Sequence, residues 1–305
     1  MTEKDESYPL ALRTSTYLWT KPVVGILILF LSAVLLMPLV LMPVLAALVA
    51  FQSGDFGTNF ENALNQDPLT PAGLLYLNLT LAGLSLVVIG IVKLIHKIPA
   101  SRLMSIKPGI RGKFFLVCLG ISVLAIAAQF GVAALLPGDT DTVTGHPDAF
   151  SWTTVGFIAV IVFSTPLQAI GEEYAFRGYA MQAFGSLTRS PWFAILLSAA
   201  LFTAAHGTQN APLLVDRFAF GLMAGYLVLK TGGLEAGIAL HILNNLVAFG
   251  FALGFGDIAE TLNIETASWW QLPVTVTQNG VYLLLVLWAA QRMGVTSTAP
   301  RRTAI

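Results

Sequence analysis

Residues 153–184 read TTVGFIAVIVFSTPLQAIGEEYAFRGYAMQAF, and the first half of this stretch contains no charged side chain. A hydrocarbon core about 30 Å thick is crossed by roughly 20 apolar residues of helix. The run is too long for one perpendicular crossing. It also contains Pro166, which lacks an N–H and is expected to kink the helix. Three charged residues, Glu172, Glu173 and Arg177, interrupt it. The stretch therefore predicts a membrane helix with ionisable groups at depth.

Seven further apolar runs flank it, at 22–51, 72–95, 114–136, 191–207, 212–230, 234–253 and 273–291. The run at 22–51 exceeds the apolar core of a secretory signal peptide, about 7–15 residues, and reads as a retained span. Composition agrees. Of 305 residues, 56% are hydrophobic and only 10% charged, and the mean hydropathy is +0.76. A soluble domain carries about 25% charged residues, so these cannot coat a water-facing surface. The apolar content excludes intrinsic disorder. One cysteine, Cys118, cannot form an internal disulfide. Sixteen Lys and Arg against sixteen Asp and Glu give no basic surface for nucleic acid. The expected fold is an all-α integral membrane protein of about eight transmembrane helices.

Every Lys and Arg except Arg217 lies in the N-terminal tail, the connection 93–113, towards the end of or after the fourth and sixth runs, or after the eighth. The opposite connections, 52–71, 137–152 and 254–272, hold only acids: Asp55, Glu61, Asp67, Asp139, Asp141, Asp148, Asp257, Glu260 and Glu265. Basic residues favour cytoplasmic loops, so both termini are expected on the cytoplasmic side. A bacterial plasma membrane fits such sparse loops.

The tail acids Glu3, Asp5 and Glu6 aside, four acids remain unsorted: Glu172, Glu173, Asp216 and Glu235. His206 and His241 also fall in apolar runs, whereas His96 and His146 are expected in loops. Ionisable groups at membrane depth are costly and by default functional. On a helix, Glu173 and Arg177 stand at i and i+4, the favourable order for an ion pair. Glu172 is rotated by about 100° and left for another task. Phe202 and His206 share one helix face, as do His241 and Asn245. Each motif alone also fits a packing or interhelical contact. Two chemistries follow from their sum. Glu172, His206 and His241 resemble a two-His, one-carboxylate zinc set with an open position. Alternatively no metal takes part: Glu172, helped by His206, activates water, and His241 with Asn245 holds the oxyanion. An Asn beside a His favours the second. Cys118 reads as a small buried hydrophobe.

Glu172-Glu173-x-x-x-Arg177, Phe202-x-x-x-His206 and His241-x-x-x-Asn245 resemble, in order and spacing, the three motifs of the CPBP intramembrane proteases. That family includes the type II CAAX prenyl endopeptidases and the Abi-type bacteriocin-immunity proteins. The resemblance implies a membrane endopeptidase in which Glu172 and His206 activate water and His241 and Asn245 form the oxyanion hole. Glu173, Arg177 and Phe202 would support them. It implies an organisation of tail (1–21), three N-terminal transmembrane helices (22–150), catalytic core (151–250), and outer loop with last helix and tail (251–305). The implied partners are membrane lipid and a membrane-associated peptide or protein, lipidated substrates included. Intramembrane Glu, His and Arg also suit a proton-coupled transporter, and a non-catalytic immunity or partner protein is the other alternative. A site shared by the three motifs requires tilted or projecting helices and is expected to open to the cytoplasm.

Overall fold

The computed structural model describes residues 6–107, 109–137, 150–255, 258 and 264–299. The expectations for Glu3, Lys4, Asp5, Asp139, Asp141, His146, Asp148, Asp257, Glu260, Arg301 and Arg302 lie outside the described residues.

Helices dominate because apolar side chains recur without strand-like alternation and because, in lipid, a helix satisfies its own backbone polar groups. Among the described residues seven helices are long and apolar enough to span a membrane. These are α1 (Thr20–Ala50), α3 (Pro71–His96), α4 (Gly112–Ala133), α5 (Trp152–Thr188), α7 (Ala211–Thr231), α8 (Glu235–Phe255) and α9 (Gln271–Arg292). Between the first two lies α2 (Phe56–Asn65), capped by the Asp55 carboxylate on the Thr58 N–H at 2.8 Å. That hydrogen bond and the one from the Thr58 hydroxyl hold the Asp55 carboxyl below the usual carboxylate range.

The run at 191–207 corrects the expected count of eight. It forms α6 (Pro191–Ala204), only 14 residues long, or about 21 Å of helix against a core of about 30 Å. Ser190 caps its start and Pro191 follows, while Gly207 at φ +78° turns the chain out of the helix. The connection that follows is tied down by the segment at 264–267. Asn210 donates from its backbone and its side chain to the carbonyls of Glu265 and Ala267, both at 2.8 Å.

Long α5 runs through Pro166 without a break and widens into a π-helical stretch over Tyr174–Ala180. It packs along α3 and α8, with α8 in turn against α4, and α9 against α4 and α7. At Gly171 the backbones of α3 and α5 are close enough that an added Cβ would lie 2.7 Å from Ala82 Cα. Large apolar side chains face outward on α1, among them Leu27, Phe30, Val34 and Leu39. Exposed Trp19, Trp192 and Trp288 mark one end of the bundle, and Trp152, Trp269 and Trp270 the other, as interfacial belts do.

The two chain ends meet. Glu6–Ser7 pairs antiparallel with Thr298–Ala299, so both termini lie at one end. The basic connection lies there too: Ile106 N donates to Gly232 O and Leu234 N to Met104 O. Tyr8, Ala11 and Leu12 are buried beneath this end, and the Tyr8 hydroxyl donates to Leu103 O. Arg13 Nε reaches Ser186 O at 2.7 Å. The basic end is thus packed shut.

Two leftover groups have structural partners. Glu235, fully buried, accepts from Arg111 N at 3.1 Å, Nε at 2.8 Å and Nη2 at 2.5 Å. His96 corrects its loop assignment: it ends α3, is buried, and its Nε2 lies 3.1 Å from the Tyr179 hydroxyl. Cys118 is fully buried, as expected of a small hydrophobe.

Candidate active site

Helix α5 supplies two carboxylates that face different neighbours, as the 100° between adjacent positions requires. Glu173 is fully buried and its Oε1 accepts from Arg177 Nη1 at 2.9 Å, closing the i, i+4 pair within the helix. The same oxygen lies 3.0 Å from His241 Nδ1 on α8. Room for this carboxylate exists because residue 237 is glycine. A Cβ there would stand 2.6 Å from Glu173 Oε2.

Glu172 points to the other side. Its Oε1 accepts from Gln168 Nε2 at 2.7 Å, and its Oε2 lies 3.5 Å from His241 Nε2. Gln168 Oε1 in turn accepts from Asn245 Nδ2 at 2.9 Å. One glutamine therefore links the Glu172 carboxylate to the Asn245 amide, and His241 stands between the two glutamates. Next to them, Asn244 Oδ1 accepts from Gln278 Nε2 of α9 at 2.7 Å.

Aromatic rings fix the second histidine and the arginine. Arg177 Cζ sits 4.0 Å over the Phe202 ring and 5.2 Å from that of Phe220. Its Nε and Nη2 have no hydrogen-bond partner among the described residues. The ring faces supply the attraction instead, because the aromatic quadrupole favours a cation above it. Phe202 also packs edge-on against His206, with ring centroids 4.5 Å apart, and against His241 at 6.1 Å. His206 Nδ1 is 2.8 Å from Phe202 O, so Nε2 is the ring nitrogen left without that bond.

Glu172, His206, His241 and Asn245 line one cavity of about 2910 Å³. Its wall runs past Leu69, Thr154 and Glu265 at the acidic end, and past Ile26, Phe30 and Val34 on α1. This differs from an opening at the basic end. The buried N-terminal segment and the 97–111 connection occlude that end, while short α6 stops before the opposite one.

The candidate zinc set does not assemble. Among the described residues no group of three or more His, Cys, Asp or Glu side chains is arranged to hold a metal ion. The reason is local: both ring nitrogens of His241 are directed at the two glutamates, and His206 Nδ1 is turned onto its own helix. Asp216 and Glu235 are not part of the carboxylate pair. Asp216 lines the cavity beside Arg217, and Glu235 is held by Arg111.

Sequence reasoning passed over Gln168, Phe220 and Gly237. Gln168 carried a readable signal, a polar residue one turn before Glu172 on the same face. Gly237, one turn before His241, carried a weaker one, and Phe220 none.

Residues 154–247 match the family model described as type II CAAX prenyl endopeptidase Rce1-like. Over 160 residues the chain is 28% identical to the uncharacterized protein YyaK of Bacillus subtilis, covering 47% of this chain and 54% of that protein. The chain thus spans about half the length of the relative it matches. No solved structure matches it.

Proposed function

We propose that this membrane protein, Rce1-like over residues 154–247, is an endopeptidase that hydrolyses a peptide bond of a membrane-associated substrate. The observation that carries the reading is the approach of Glu172 to His241, Oε2 to Nε2 at 3.5 Å, on the wall of a cavity inside the bundle. The rest of the network assigns roles around it.

Glu172 takes a proton from water, and the resulting hydroxide attacks the peptide carbonyl carbon. Gln168 holds Oε1 of this carboxylate, which leaves Oε2 for the water. His206, which lines the same cavity, assists with the ring nitrogen that is not turned onto Phe202 O. The oxyanion is met by the second N–H of the Asn245 amide and by His241 Nε2–H. A histidine that donates through both nitrogens is cationic. Glu173, at its Nδ1, balances that charge, and with Arg177 the site holds two cations against two carboxylates. When the intermediate collapses, the C–N bond breaks and Glu172 returns its proton to the leaving amine. No step is routed through a metal, because the ligand set does not form.

The apolar wall on α1 suits a substrate that enters from the bilayer. The charge bias assigns the basic end, with both termini, to the cytoplasm. The domain division expected from sequence stands as part of this proposal, with the catalytic core at 151–250.

The test is cleavage of a membrane-tethered peptide by detergent-solubilised protein, wild type against Glu172→Gln, with and without chelator. Loss of general-base catalysis costs about 10²–10⁴-fold. Full activity in a folded Glu172→Gln protein refutes the proposal. Proton flux lost in that variant, without peptidase activity in wild type, favours a transporter.

A further inference from the structure

Arg217 is the one Lys or Arg side chain, among the described residues, that lines the cavity. It is also the basic residue that the charge sorting left unplaced. The Asp and Glu residues on that wall are Asp67, Glu172, Asp216 and Glu265, and its histidines are His206 and His241. A cation on an intramembrane wall calls for a reason, since burying it is costly unless it serves a ligand or a partner.

Its existing partner takes up only part of it. Arg217 Nη1 donates to Asp216 Oδ2 at 3.2 Å, and the Thr275 hydroxyl of α9 donates to Asp216 Oδ1. Asp216 is thus anchored from a second helix, and it orients the guanidinium as a fixed strut. Arg217 Nε is buried and has no hydrogen-bond partner among the described residues. The side chain remains 32% exposed, and five N–H donors in a planar fork match a carboxylate. Two other cavity-lining groups, Gln209 Oε1 and Asn279 Oδ1, are buried acceptors without partners among the described residues, suited to the N–H groups of an extended peptide.

The location fits the chemistry. Phe220, three residues on along α7, packs against His241 with ring centroids 5.4 Å apart. Arg217 therefore stands about one helical turn from the ring that contacts the candidate site. Its charge also reaches His206.

We propose that Arg217 is a substrate-binding residue that pairs with a carboxylate of the peptide and so sets its register against Glu172. Away from His241, where the oxyanion is held, Arg217 is the place on this wall where an anion is favoured, so the residue selects as well as binds. The inference rests on the peptidase reading for its account of register, but the binding it predicts does not need turnover.

The experiment uses the full chain as its Glu172→Gln variant in micelles, with three fluorescein-labelled, N-acylated apolar octapeptides. One ends in a free acid, one in an amide, and one in an amide with a single internal Glu. Fluorescence anisotropy reads the affinities. A charge-assisted pair predicts that a carboxylate-bearing peptide binds about 10–100-fold tighter than the plain amide. The free acid and the internal Glu distinguish a C-terminal from a side-chain carboxylate. Arg217→Gln is expected to erase the preference, and Arg217→Lys, which keeps charge without the fork, to retain part of it in a protein of unchanged melting temperature. Equal binding of all three peptides, with none binding included, overturns the proposal. So does a preference that survives Arg217→Gln. If the preference is present but wild type cleaves none of the peptides, the hydrolysis reading fails while the carboxylate site stands.

Discussion

Replacing Arg177 with Met is expected to destabilise the protein, and then removing its partner's charge should restore much of the loss. Both side chains of the Glu173–Arg177 pair are fully buried. In Arg177→Met the Glu173 carboxylate keeps His241 Nδ1 as its donor, while Oε2 has none among the described residues. Leaving a buried charge uncompensated costs about 3–5 kcal/mol. The contact of Arg177 with Phe202 is lost as well, about 2 kcal/mol where desolvated, though Met refills part of that volume. The denatured reference does not cancel this. In the isolated helix α5 the i, i+4 pair is worth only about 0.2–0.5 kcal/mol, and there the carboxylate reaches water. In the double variant Glu173→Gln/Arg177→Met neither of the two positions carries a buried charge, so the expected cost falls to about 1–2 kcal/mol, mostly packing, since interacting sites are not additive. The assay is reversible unfolding in mixed micelles followed by circular dichroism. A double variant no more stable than Arg177→Met refutes the reasoning, because the penalty would then lie in packing and not in the orphaned charge.

Gln168→Leu removes the link between Glu172 and Asn245, and kcat is expected to fall about 10–100-fold with little change in KM, as for a lost transition-state interaction. Gly237→Ala places a Cβ against Glu173 Oε2, where the added atom would stand only 2.6 Å away. Activity should drop about tenfold or more through displacement of His241, while the melting temperature moves little, because alanine gains about 1 kcal/mol of helix propensity. Arg111→Met strips fully buried Glu235 of its two bonds from the guanidinium, leaving the one from the backbone N–H of residue 111, and should cost about 3–5 kcal/mol. The kcat of its folded fraction should stay at the wild-type value, which separates this acid from Glu172 and Glu173.

The bundle was legible because membrane helices are written in long apolar runs, and seven of the eight boundaries expected from composition fall on spanning helices. The exception is instructive. The run at 191–207 is as apolar as its neighbours, but Gly207 and the Asn210 bonds to the 264–267 segment end α6 early. A short helix places His206 inside the cavity wall and not at the far interface. Hydropathy averages over such a stop, so the count was one too many for the same reason that the site can form. Charge sorting told the two ends apart but could not tell which one the cavity reaches. That depends on how Tyr8, Ala11 and Leu12 fill the basic end, a contact between distant segments that no periodicity records.

Within the site, the readable part was what one helix face holds: Glu173 with Arg177, Phe202 with His206, and Gln168 with Glu172 had it been weighed. The unreadable part crosses helices. Sequence could state that His241 and Asn245 share a face, and from that their joint role as donors followed. It could not state that Glu173 Oε1 would take up Nδ1 of the ring, which makes a neutral His241 unable to donate from Nε2 as well. The consequence is chemical: an oxyanion held at Nε2 needs the cationic ring, and that ring needs both glutamates near it. Glu173 is therefore more than the partner of Arg177. It sets which nitrogen faces the cavity, and this is why a second glutamate beside the first, and a glycine at 237 to admit it, belong to the same device.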